Sequence, residues 1–353
     1  MRQECFDETI LPGSALSAAH LSSDTSLVPQ ENAIFRKKVR TSMTLAGLLL
    51  CAGTAICWAS SPLLLREGMK SFSYQEINAV RSLGFLGGSI VVLLTLLGTS
   101  ATFPTSPFLL GVVFCNVLLG NILGDVAYFA AIKNIGVSRA VAISSAYPLV
   151  VTAVSWLWLG EHITLHVLAG TVCIVLGLVF LRMEGHDREQ PQATTKGFLL
   201  SILAALCWGI GIPISKWLIS SAGMDPAAFN FLRALMLVLL TWGIWLSSAK
   251  GRREAKNFLS RPTSRGDNAV SPGKPLALRH LSVVLAGVVG LSLGGVLFTL
   301  SLQTAPVSLV TPITATSPFL TALFSFFVLR EPTRAVQWAG IAFIVGGSAA
   351  IGM

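Results

Sequence analysis

Three ionisable residues lie where a charge is expensive. Arg81, Asp125 and Arg233 each fall inside a long apolar run, and a charge in such a run has to pair, bind a ligand or take up a proton. Arg81 stands about seven residues into the second run and Asp125 about seven before the end of the third; if these are antiparallel helices rising about 1.5 Å per residue, both lie roughly 10 Å below one surface. They can meet there. One reading of such a pair is structural, an ion pair that staples two helices. The other is chemical: Asn121, Asp125 and Tyr128 share one helical face, and a lone carboxyl on a polar face can carry a proton. Arg233 repeats Arg81 at an offset of 152, but the position matching Asp125 at an offset of 170 is Gly295. That leaves Arg233 to helix carbonyls, to the surface or to a substrate carboxylate or phosphate.

A second group of residues marks irregular backbone. Pro148, Pro312 and Pro318 interrupt apolar runs, with Tyr147 and the hydroxyls of Ser144, Ser145, Thr314, Thr316 and Ser317 close by. Carbonyls freed by such breaks are tolerated where protein or a water-filled cavity satisfies them, so these runs are candidates for a cavity wall, although a packing kink would read the same. Trp58 and Trp208 sit in the middle of their runs and suit either a cavity wall or helix packing. Lys216, near the end of its run, is expected to snorkel to the surface. Gly120 and Gly124 read as a close helix contact. His162 and His166 lack further ligands nearby, and five of the six cysteines fall in apolar runs without Cys-x-x-Cys spacing; no metal or cofactor is expected. No phosphate-binding glycine loop and no nucleophile elbow occur.

The elements that must hold these residues are membrane helices. Charged residues make up 12% of the chain and hydrophobic ones 53%, where a soluble domain carries about 25% charged residues. Gly47 to Leu65 and Gly84 to Gly124 contain no charge at all. Ten candidate spans are expected, at 42–65, 74–98, 107–131, 137–158, 163–182, 196–220, 226–248, 280–303, 307–329 and 335–353, each near the length that a bilayer requires. Residues 1–41 are polar and aperiodic and are read as a disordered tail.

The chain also repeats itself. Residues 137–182 and 307–352 agree at 12 of 46 positions, including Pro148/Pro318, Glu161/Glu331, Gly170/Gly340 and Gly177/Gly347. "GLLLCAGTAICW" from Gly47 and "NAVRSL" from Asn78 return as "GFLLSILAALCW" from Gly197 and "NFLRAL" from Asn230. The expected fold is all-α and polytopic, with a first repeat at 42–182, a linker at 183–195 and a second repeat at 196–353 that carries a hydrophilic basic loop at 249–279. Five spans per repeat is an odd number, so the second repeat enters from the opposite face, the inverted-repeat plan of secondary transporters.

Two five-helix units, each with Cys-Trp in its first helix (Cys57 and Trp58, Cys207 and Trp208), an Arg in its second, and a fourth helix carrying Pro and then "LGE" or "LRE" before an "AG"-containing fifth, resemble the EamA-type transporters of the drug/metabolite transporter superfamily. The resemblance covers roughly residues 42–353. It implies a multi-pass protein of the cell (inner) membrane, monomer or homodimer, that exports or takes up a small metabolite such as an amino acid. Its partners would be that solute and the lipid bilayer, with protons as a possible coupling ion and no nucleic acid. Residues expected to bind substrate or couple transport are Arg81, Asn121, Asp125, Tyr128, Arg233, Trp58, Trp208, Tyr147, Thr316 and Ser317. An intramembrane lipid-modifying transferase is the alternative, but such enzymes generally need clustered carboxylates. A non-transporting scaffold is another, though the soluble parts are too short to form a domain. Of the 25 Lys and Arg, 17 lie in or beside odd-numbered loops and five on the side of the termini, which argues for a cytoplasmic basic loop and external termini. The "RKKVR" cluster beside the first span argues the other way.

Overall fold

The computed structural model describes residues 43–69, 72–96, 103–104, 106–182, 194–260, 276–329 and 335–352. The expected tail, most of the linker, and Glu331 lie outside the described residues. Every regular element described is helical: α1 (Leu45–Met69), α2 (Tyr74–Leu96), α3 (Pro107–Ile135), α4 (Val137–Ser144), α5 (Tyr147–Leu159), α6 (Leu165–Arg182), α7 (Thr195–Ser220), α8 (Pro226–Ser247), α9 (Ala249–Ser260), α10 (276–304), α11 (Val307–Thr314), α12 (Ser317–Leu329) and α13 (Ala335–Gly352). Six of them, α1, α2, α3, α7, α8 and α10, are long and apolar enough to cross a membrane, while Tyr147–Leu159, Leu165–Phe180 and Trp338–Ile351 are shorter apolar helices.

Side chains at the helix starts satisfy the free amides that would otherwise be left unbonded. The Ser73 hydroxyl accepts from the Glu76 amide at 3.3 Å ahead of α2. Asp225 accepts from the amides of Ala227 and Ala228 at 2.7 and 3.0 Å ahead of α8, whose first residue is Pro226.

Two features of the expected span pattern need correction. The runs at 137–158 and 307–329 are not continuous helices: each breaks at a two-residue turn, Ser145 and Ala146 in one, Ala315 and Thr316 in the other. Pro148 and Pro318 stand second in the helices that follow, where the missing amide leaves the carbonyls of Ser144 and Thr314 without that partner. The stretch 249–279 is likewise not all loop, since it begins with α9. Three π-helical turns, Leu118–Gly124 in α3, Ser155–Leu159 in α5 and Gly287–Leu293 in α10, also interrupt the regular helix.

Glycines set the closest helix contacts. A Cβ on Gly170 would lie 2.6 Å from the Gly347 carbonyl, and one on Gly177 would lie 2.6 Å from that of Gly340. Residues advancing along α6 thus meet residues receding along α13, so the two helices run antiparallel with their backbones touching. These are the glycines that repeat between the halves. Elsewhere Trp208 of α7 covers Gly124 of α3, and Trp58 of α1 covers Gly294 of α10, with a Cβ on either glycine 2.6 to 2.8 Å from the indole. Each half therefore places its first-helix tryptophan on the third helix of the other. Cys51, Val151, Phe298, Leu302, Val307 and Val310 fill the core between the halves.

Candidate functional site

The face of α3 that carries Asn121 and Asp125 receives both arginines. Arg81 of α2 reaches Asp125 with 3.7 Å between Nη2 and Oδ2, and about a fifth of each side chain is exposed. Arg233 of α8 reaches the next turn of α3, where its Nη2 donates to Asn121 Oδ1 at 3.4 Å. Its guanidinium also lies 5.3 Å from the centre of the Phe229 ring, a cation–π contact. The Nε atoms of both arginines are buried with no hydrogen-bond partner among the described residues. Such donors are costly to leave unmet, and they retain capacity for an anionic group.

An aromatic wall runs beside these charges. The Trp208 indole lies 5.3 Å from the Tyr128 ring and 6.2 Å from that of Tyr147, and its Nε1 donates to the Gly120 carbonyl at 3.0 Å. That carbonyl belongs to the π turn, so the irregular winding of α3 and the repeat of Cys-Trp in α7 together fix the ring. Tyr128 meets Phe129 at 5.3 Å, and Phe129 meets Tyr74 at 4.1 Å. Tyr74 and Phe129 were not expected. Tyr74 opens α2 beside its Ser73 cap, and an aromatic residue at a helix start reads from sequence as an interface anchor.

The remaining expected residues lie elsewhere. Trp58 packs on Phe298 at 5.2 Å in the core between the halves. Thr316 spends its hydroxyl on the Ile313 carbonyl at 2.6 Å, across the second helix break. Ser317 begins α12, which is tied to α1 by the Thr321 hydroxyl donating to the Ala59 carbonyl at 3.1 Å.

A second polar cluster closes one end of the molecule. Gly160, at φ 65°, adopts the left-handed conformation that turns the chain out of α5 and buries Glu161. Glu161 then accepts from the Val307 amide at 2.7 Å, the Ser308 amide at 3.0 Å and the Ser308 hydroxyl at 2.5 Å, capping the start of α11. Lys216 does not snorkel as expected. Its ammonium turns inward and donates to the carbonyls of Leu302 and Ala305, the latter at 2.9 Å, at the end of α10. An acid thus stands at the positive end of α11 and a base at the negative end of α10, the favourable pairing for both helix dipoles. Sequence carried one signal of this cap, because Val137, Ser138 and Glu161 recur 170 residues on as Val307, Ser308 and Glu331.

Long apolar helices, buried charges at the contact between two like halves and broken helices beside them define a helical multi-pass membrane protein with a polar interior. A model of the EamA-like transporter family matches residues 45–183 and again 195–353, and the chain belongs to that family. It is a membrane transporter with a small-molecule substrate. An "Uncharacterized transporter" of Archaeoglobus fulgidus is 28% identical over 198 residues, spanning 55% of this chain and 67% of that protein. A protein of known crystal structure shares the fold with a TM-score of 0.65 at 16% identity, over 86% of this chain and 95% of its own.

Proposed function

We propose that the protein is a secondary active transporter that moves a small polar or amphiphilic metabolite bearing a carboxylate, such as an amino acid, across the cell membrane, with Asp125 carrying the coupling proton. The observation that carries this reading is the convergence of Arg81 and Arg233, one from each half, on consecutive turns of a single face of α3. Among the described residues Arg233 has an amide rather than an acid as its polar partner, so its charge is available to a substrate carboxylate. Trp208, Tyr128 and Tyr147 supply apolar walls for the remainder of the solute.

The mechanism is alternating access between two inverted repeats of five crossings each. Counting α4 with α5 and α11 with α12 as single crossings gives ten, and the antiparallel α6–α13 contact through repeated glycines supports a twofold axis in the membrane plane. In this mechanism the Glu161 cap is a latch that holds one face shut, because it joins the end of α5 in the first repeat to the start of α11 in the second. Rocking one repeat against the other requires that it open.

The test is uptake by proteoliposomes containing the purified protein, screened over amino acids, other small carboxylates and neutral analogues, with and without an imposed pH gradient. Accumulation of a carboxylate-bearing solute that responds to the gradient is expected. Transport restricted to neutral solutes, or indifferent to the gradient, rejects the assignment of Arg233 or of Asp125 respectively.

A further inference from the structure

The helix α9 occupies a place that the transport reading does not use. It starts at Ala249, two residues after α8 ends, and Ser248 between them both closes α8 in an extended conformation and caps α9 by accepting from the Gly251 amide at 2.9 Å. A single residue spans about 3.8 Å, so α9 lies at the level where the apolar helix leaves the membrane. One side of α9 is fastened down. Gly251 meets the backbone of Trp245 so closely that no side chain fits, and Ala255 is buried against Ala79 and Trp245. Glu254, the sole acid of α9, accepts from Trp245 Nε1 at 3.0 Å and from the Ser73 hydroxyl at 2.9 Å.

The opposite side is basic. Lys250, Arg252, Arg253 and Lys256 are all exposed. Arg252 is partly engaged by the carbonyls of Leu246 and Ser247 at 3.0 and 2.9 Å, and Lys250 stands 3.7 Å from Glu254. We infer that this arc is a docking surface for the phosphates of anionic lipid headgroups in the leaflet at which α8 ends. Among the described residues of α9 the acid is turned toward Trp245 and Ser73 and reaches only Lys250 of the four basic side chains, so the arc keeps a charge of one sign. The arc is convex and held at headgroup height by a bend of one residue, which suits a plane of phosphates better than a single soluble anion. The inference rests on membrane insertion and not on any assignment of substrate or proton.

The test measures phosphatidylglycerol and phosphatidylcholine bound to the purified full chain in neutral detergent, by native mass spectrometry and by the rise in melting temperature. Wild type is expected to favour phosphatidylglycerol by roughly fivefold for each basic residue engaged. The triple variant Lys250→Gln, Arg253→Gln, Lys256→Gln takes from the docked side only the exposed Lys250–Glu254 pair, which is worth little, and should lose that preference with little change in its lipid-free melting temperature. Should the triple variant not fold, Arg253→Glu and Lys256→Glu made singly must each reduce the preference. In wild type, about 1 M salt, where the screening length is about 3 Å, must abolish it. A preference that survives the substitutions or the salt overturns the inference, and so does equal competition by soluble glycerol phosphate, which would make the arc a site for free anions.

Discussion

Asp125 has an arginine on one side and the aromatic wall on the other, and its two readings separate under substitution. In Asp125→Asn the amide oxygen still accepts from Arg81, so a structural staple would be weakened and the melting temperature would fall, since losing one charge of a buried pair is among the costlier single changes. The coupling reading gives another pattern: folding nearly intact, solute exchange retained and uphill movement driven by a pH gradient lost. A mutant that still follows the gradient removes Asp125 from the coupling role. Arg233 is tested through affinity. Arg233→Ala is expected to weaken binding of a carboxylate solute by about 1 to 3 kcal/mol, the range for a charge-assisted hydrogen bond, and Arg233→Lys to restore part of this because the planar fork is lost. Unchanged affinity in a folded Arg233→Ala protein assigns the residue to packing on Phe229. The meeting of Arg81 with Asp125 could be anticipated from sequence because their helices are neighbours in the chain. The pairing of Arg233 with Asn121 could not, because it joins α8 to a helix of the other repeat and no repeat offset points to it.

Elements rather than single side chains decide the latch and the position of α9. Glu161→Gln keeps the shape of the cap but removes its charge, and should weaken the grip on α11 by about 1 to 2 kcal/mol, with hydrogen exchange at the Val307 and Ser308 amides speeding up while the core amides of α10 are unchanged. Exchange at wild-type rates would show that packing alone holds α11. For α9 the expectation is a pH dependence. Burial raises the pKa of Glu254, but hydrogen bonds from Trp245 and Ser73 and the nearby Lys250 outweigh it, so the carboxyl sits below its ordinary value. Its contribution to docking is therefore complete above the unfolded carboxylate pKa and is lost as pH falls through the lower folded one. Hydrogen exchange across α9 should rise over that acid range in wild type, and Glu254→Gln should flatten the response. Prolines announced the two helix breaks, but the turns themselves fall at Ser145 and Ala315, ahead of Pro148 and Pro318, because proline is comfortable in a first turn and disrupts the carbonyls behind it. The π turns had no signal, since an extra residue in one turn leaves apolar content unchanged. The helix α9 was missed because its buried side is Gly251, Glu254 and Ala255, which carry no hydrophobic period.

For the molecule as a whole the outstanding quantity is which face looks inward, since under the proposed mechanism that fixes which side Asp125 would exchange protons with when the proposed Glu161 latch is shut. The proposed inverted repeat would explain why composition alone is ambivalent: two units inserted in opposite senses would present opposite faces to the same side, so any orientation bias would come from what the units do not share. The largest basic connection that they do not share is the stretch between α8 and α10, which carries seven of the 25 Lys and Arg, four of them on α9. Positive charge in a connection this short favours the cytoplasmic side, at an energy of order 1 kcal/mol per residue near an anionic leaflet. We therefore expect α9 to be cytoplasmic and the connection between α7 and α8 to be external. In a background lacking the native cysteines, Ser221→Cys should react with an impermeant maleimide in intact cells, and Lys256→Cys should react only after the membrane is opened. Both positions are exposed and lie at opposite ends of α8. Reaction at Lys256→Cys alone in intact cells would place the Glu161 latch on the cytoplasmic side, and the direction in which a proton gradient drives the solute through a latched protein would reverse with it.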